Sequence, residues 1–225
     1  MLWTALGDAL PQAFGIAISP IPVVLVILML VSSRAKVNGP LFLAGWMLGA
    51  ALVTGLGYVL ADAAEADQGG AGSDGVAIGQ LLFGLLFLVL AARQWRSRPA
   101  AGEEPPTPKL FAAVDTMGPL KVCGLAFVAC AVNPKNLPLA ASGGATMAGA
   151  GLSTGQAIVA VLIFVLIASA SIIAPVVVYL ALGDRSAEVL SGWKTWLVAN
   201  NSTVMTVLFA VLGAKMLGAG LGLFA

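Results

Sequence analysis

Apolar residues in this chain come in long unbroken runs, at 9–31, 40–60, 76–92, 119–141, 156–182 and 198–223, and not as stripes of helical or alternating period. A segment that is apolar all round has no face to give to water, and about 20 such residues cross a hydrocarbon core of about 30 Å. The pattern predicts six transmembrane helices in an all-α polytopic membrane protein, with residues 1–225 forming a single membrane domain. No positive residue precedes the first run, so it is expected to be retained as a helix and not removed as a signal peptide.

The connections differ sharply in charge. The first holds Arg34 and Lys36, the third holds Arg93, Arg96, Arg98, Lys109 and Lys121, and the fifth holds Arg185 and Lys194, nine of the chain's eleven basic residues. Between them, the second connection (61–75) carries Asp62, Glu65, Asp67 and Asp74 without a base, and the fourth (142–155) carries no charge. Lysine and arginine are retained on the cytoplasmic side, which predicts a protein of the cytoplasmic (inner) membrane with both termini external.

The third connection, with Pro99, Glu103, Glu104, Pro105, Pro106 and Pro108, has a composition that cannot build a core. Residues 93–117 therefore read as a cytoplasmic linker between a first three-helix half (1–92) and a second (118–225). Three spans per half put the halves in opposite orientation, as an inverted repeat. Ala17-Ile18-Ser19-Pro20 in the first helix aligns with Ala131-Val132-Asn133-Pro134 in the fourth at an offset of 114 residues. The same offset carries the second helix onto the fifth, while the third misses the sixth by about ten residues.

Chemistry concentrates at those two aligned places. Pro20 and Pro22 fall mid-way along the first helix, and Pro134 and Pro138 in the same part of the fourth. Each proline removes an amide and pushes away the carbonyl four residues back, so both helices are expected to break. Paired broken helices in corresponding halves point to a midplane binding site. Its candidate members are Ser19, Pro20, Pro22, Asn133, Pro134, Lys135, Asn136 and Pro138. Lys135 lies deep within a run, where a lone lysine costs about 3 kcal/mol unless partnered. It reads as a cation facing substrate, or else as a side chain that snorkels to the outer interface. Lys215, within the last run, reads as a side chain that snorkels to the interface, or else as the partner of Asp8 in an ion pair near the outer face. Ser169, Ser171, Asn200 and Asn201 read as interhelical hydrogen-bonding groups.

Other classes are disfavoured. Histidine is absent, the two cysteines Cys123 and Cys130 share one apolar run, and no metal or cofactor set is expected. The net charge of +1 offers no basic face for nucleic acid. With no central carboxylate, an enzyme is not expected. The spacing of Gly45 with Gly49, and of Gly218 with Gly222, admits a close helix contact such as a homodimer would use.

The proline pair of the first helix, the short basic turn after it, and Asn133-Pro134-Lys135-Asn136 in the fourth together resemble the lysine-exporter superfamily of six-helix transporters. Here Ser19 precedes the pair and Ile21 divides it, where the amino-acid exporters have Pro-Gly-Pro. The chain length, the acidic second connection and the proline-rich third are closer to the branch of peptidoglycolipid addressing proteins. That resemblance implies export or flipping of an envelope lipid or glycolipid with an anionic or polar head. An amino-acid or cation exporter on the same scaffold, and a non-transporting partner of an envelope-lipid machine, are the competing readings.

Overall fold

A computed structural model describes residues 1–66, 72–98 and 117–222. Residues 67–71 of the acidic second connection and 99–116 of the 93–117 linker lie outside the described residues. The elements are α1 (Leu2–Ala17), α2 (Pro20–Val31), α3 (Ala35–Ala66), α4 (Gly72–Arg96), α5 (Pro119–Ala131), α6 (Asn136–Ala148), α7 (Thr154–Ala168), α8 (Ala170–Leu182), a 3-10 turn (Gly183–Arg185) and α9 (Ser186–Gly222).

The chain is an all-helical, polytopic membrane protein. Among the described residues, three continuous helices are long and apolar enough to cross a bilayer, within α3, α4 and α9. Three further pairs qualify when taken together: α1 with α2, bent by 60°, α5 with α6, bent by 68°, and α7 with α8, bent by 67°. Counting each bent pair as one span gives six. The first two bends fall at the expected prolines. The third was not expected; it falls at Ser169, with Ser171 and Pro175 just beyond.

Two expected connections are shorter than the sequence suggested. The glycine-rich stretch after position 142 continues as α6 to Ala148. Its glycines serve close packing and not a turn: a methyl on Gly144 would collide with the Thr54 carbonyl oxygen, and one on Gly143 would lie 2.5 Å from the Phe164 ring. The actual turn follows, where Gly151 takes φ +60°. Likewise α9 starts at Ser186, so Lys194 lies in a helix and the fifth connection shrinks to the 3-10 turn, with Gly183 at φ +54°. At the other end of the chain, α1 begins at Leu2, ahead of the expected start at 9.

The chain divides into two compact units. Met1–Glu65 with Thr107–Val198 makes the first, and Ala66–Pro106 with Ala199–Ala225 the second. In the first unit α3 runs along α5 in parallel. Gly45 sits on the Cys123 backbone and Gly49 on that of Phe127, four residues further along both helices. The small-residue face of α3 is thus occupied within the chain. In the second unit α4 and α9 pair antiparallel, for Phe87 stacks on Phe209 with ring centroids 5.7 Å apart, and Gln94 donates to the Ser202 hydroxyl at 3.2 Å. In a chain that reverses direction with each crossing, spans two and four must run parallel and spans three and six antiparallel. Both pairings agree with six crossings.

Candidate functional site

Within the first unit α1 packs against α6, bringing the break after α1 to the break before α6. In lipid every backbone group needs an internal partner, so the carbonyls at the end of α1 can be accounted for one by one. Had the helix continued, Pro20 and Pro22 would have been the positions to donate to Ile16 and Ile18; neither has an amide hydrogen. The Ser19 hydroxyl replaces the first, donating to the Ile16 carbonyl at 2.6 Å. The Lys135 ammonium replaces the second, donating to the Ile18 carbonyl at 2.7 Å.

The remaining carbonyls are met as well. Ser19 turns its own amide to Ala17 at 2.9 Å, which frees Gly15, and Lys135 donates to Gly15 at 2.8 Å. Ile18 donates to Phe14 at 3.0 Å. The third proton of Lys135 goes to the Ser19 hydroxyl oxygen at 2.7 Å. An ammonium has three donors, and all three are engaged on the α1 break. A cation at this helix end also meets the negative pole of the α1 dipole.

Lys135 therefore does not snorkel. Its side chain is 3% exposed and runs inward to a partner helix. Asn133 holds it in place locally: its side-chain oxygen accepts the Lys135 amide at 2.9 Å, and its carbonyl accepts the Leu137 amide at 2.9 Å. Of the other candidates, Pro20, Pro22, Pro138 and Ser19 are buried with Lys135, while Pro134 is exposed. Asp8 and Lys215 are both exposed, and they belong to different units.

Asn136 differs from all of these. As the first residue of α6 it is 1% exposed, yet neither its side-chain oxygen nor its nitrogen has a hydrogen-bond partner among the described residues. A buried amide left in that state costs on the order of 1–3 kcal/mol. It stands at the positive end of α6, where amides are short of carbonyls and an anion is favoured. Ser169 and Ser171, expected to bridge helices, also keep buried hydroxyls without partners among the described residues. Among the described residues no group of three or more His, Cys, Asp and Glu could hold a metal ion.

Sequence reasoning missed one further feature. A cavity of about 440 Å³ lies between α3 and the start of α7, with Asp62 and Thr154 among its lining residues. Most of its lining falls within the expected second and fifth helices, while Asp62, Leu152 and Thr154 fall in the expected connections on either side, so no local pattern joins them.

The family model described as Sap, sulfolipid-1-addressing protein, matches residues 9–222, and the chain belongs to that family. No curated protein and no solved structure matches it.

Proposed function

We propose that this member of the sulfolipid-1-addressing family is a carrier that exports or flips an anionic envelope lipid, with the headgroup taken at the joined breaks of its first and fourth spans. The family description gives the chain a sulfolipid-addressing role in envelope lipid traffic. Movement of the lipid by this chain itself is the step added here.

The observation that carries the reading is the pairing of Lys135 with Asn136. Lys135 holds α1 closed through three bonds, and its neighbour Asn136 presents an unpartnered amide beside the positive end of α6. A sulfate or phosphate arriving at that helix end competes with the α1 carbonyls for the ammonium. Taking one bond from Gly15 or Ile18 loosens the α1 break, so binding favours a second arrangement of the broken helix. Ile21, which divides the proline pair, is 44% exposed and suits an acyl chain better than it suits a small polar solute.

The lysine-exporter scaffold, with its inverted halves and external termini, belongs to the same proposal. It is supported by the breaks at Ser19-Pro20 and Asn133-Pro134, and by the assortment of spans between the units, since the second unit takes the third span of each half. The test is reconstitution. Purified protein in liposomes should bring a fluorescent sulfated lipid within reach of a membrane-impermeant quencher faster than protein-free liposomes do. Equal rates with and without protein would leave an addressing role without transport.

A further inference from the structure

The cavity between α3 and α7 is built from one face of each helix. Gly55, Tyr58 and Asp62 recur at spacings of three and four on α3, and Thr154, Ile158 and Leu162 recur at four on α7. Spans two and five run in opposite directions in a six-crossing chain. Asp62, near the end of α3, and Thr154, at the start of α7, then share one end of the cavity, while Gly55 and Leu162 share the other.

The two ends differ in chemistry. The deep end is apolar, and Ile158 and Leu162 are 58% and 56% exposed. The lining at the polar end includes a carboxylate, Asp62, and a hydroxyl, Thr154. Asp62 lies 26 residues along the chain from Lys36 at the start of α3, about 39 Å at 1.5 Å per residue, so the polar end lies near the membrane face away from the basic connections.

We infer that this groove is a second lipid site, holding an acyl chain along Ile158 and Leu162 and a hydroxyl-bearing sugar headgroup on Asp62 and Thr154, where a lipid rests after leaving the central site. The inference depends on the carrier reading for that order of events. A carboxylate is acceptor-only and repels sulfate and phosphate, so the group it orients is a hydroxyl donor. Sugar hydroxyls fit both partners: they donate to Asp62 and exchange hydrogen bonds with Thr154. The occupant thus belongs to the glycolipids, and its anionic group, where it has one, points away from Asp62.

Photolabelling of the full-length protein in nanodiscs tests the site. Glucosyl diacylglycerol and phosphatidylglycerol, each with a diazirine on the acyl chain, are compared for labelling of the peptide that contains Ile158 and Leu162. The glucosyl lipid is expected to label it roughly tenfold more than phosphatidylglycerol, the value of one or two hydrogen bonds to a charged group. Asp62→Ala should abolish that preference, and Asp62→Asn, which keeps an acceptor oxygen, should retain part of it. If Asp62→Ala does not fold, Thr154→Val reads the same headgroup contact. Equal labelling by the two lipids, or preference for phosphatidylglycerol, overturns the proposal. Sulfated-lipid movement without labelling preference would sink the groove alone, and labelling preference without movement would sink the carrier reading alone.

Discussion

The Lys135 ammonium lies 2.7 Å from the Ser19 hydroxyl, so residues 116 positions apart close a single break in the first span. The lysine meets the Ile18 carbonyl and the serine that of Ile16, both deprived of an amide by prolines, and the lysine also meets Gly15, which the turned Ser19 amide leaves free. A buried charge in hydrocarbon is tolerated here because the adjoining helix end supplies the three acceptors it needs.

Removing Lys135 should therefore weaken the fold. Lys135→Met leaves the Gly15 and Ile18 carbonyls without donors, and each such buried group costs about 1–3 kcal/mol. Relief from desolvating the ammonium offsets part of that loss. A net destabilisation of about 3 kcal/mol is expected, seen as a lower unfolding midpoint in detergent, with Ser19→Ala costing about 1 kcal/mol. Unchanged stability of both variants would show that the three bonds do not hold α1.

Glycines divide by what surrounds them. A methyl on Gly45 would meet the Cys123 carbonyl oxygen, whereas Gly124 has nothing within 4 Å. Gly45→Ala should cost about 1–3 kcal/mol, because backbone cannot retreat as a side chain can. Gly124→Ala should be neutral or slightly stabilising, as expected for glycine replaced inside a helix. Thermal unfolding of the two variants side by side checks the contrast, and equal effects would contradict the close approach of α3 to α5.

Much of this was legible in the residues. Run length and apolarity identified spans, and Pro20, Pro22, Pro134 and Pro138 located two breaks, because a missing amide is a local property. The lysine's depth was legible too; its partner was not. Whether Lys135 faces substrate, water or α1 depends on packing between segments more than 100 residues apart, which no local pattern encodes. The connection misread at 142–155 shows the same limit. Gly143 and Gly144 look like turn residues in isolation and are helix-contact residues once α3 and α7 lie against them. The break at Ser169 also escaped notice, since Pro175 lies six residues beyond it.

The basic connections predict an orientation. Arg34 precedes α3 and Lys36 lies in its first turn, and Arg93, Arg96 and Arg98 end or follow α4, all of them exposed. Tags at Met1 and Ala225 should react with an impermeant reagent in intact cells, while a cysteine placed at Ser97 should react only after permeabilisation. The reverse pattern would invert the topology and move the polar end of the α3–α7 groove to the cytoplasmic face.

Asn136 gives the sharpest separation of function from fold. Its neighbour Lys135 cannot do so, because loss of that side chain harms the structure directly. Asn136 is 1% exposed and its side-chain amide has no partner, so a leucine of similar size removes no hydrogen bond and relieves a desolvated polar group. Asn136→Leu should leave stability unchanged or raise it by about 1 kcal/mol. Should the amide serve the substrate headgroup at the positive end of α6, the same change costs one hydrogen bond to an anion, and movement of a sulfated lipid in liposomes should fall roughly tenfold. Asn136→Asp places a negative charge where the anion is expected and should slow movement further than leucine does. A stable Asn136→Leu protein that moves the sulfated lipid at the wild-type rate would exclude this amide from the site. A leucine variant that loses stability would instead mean that Asn136 is partnered within the membrane.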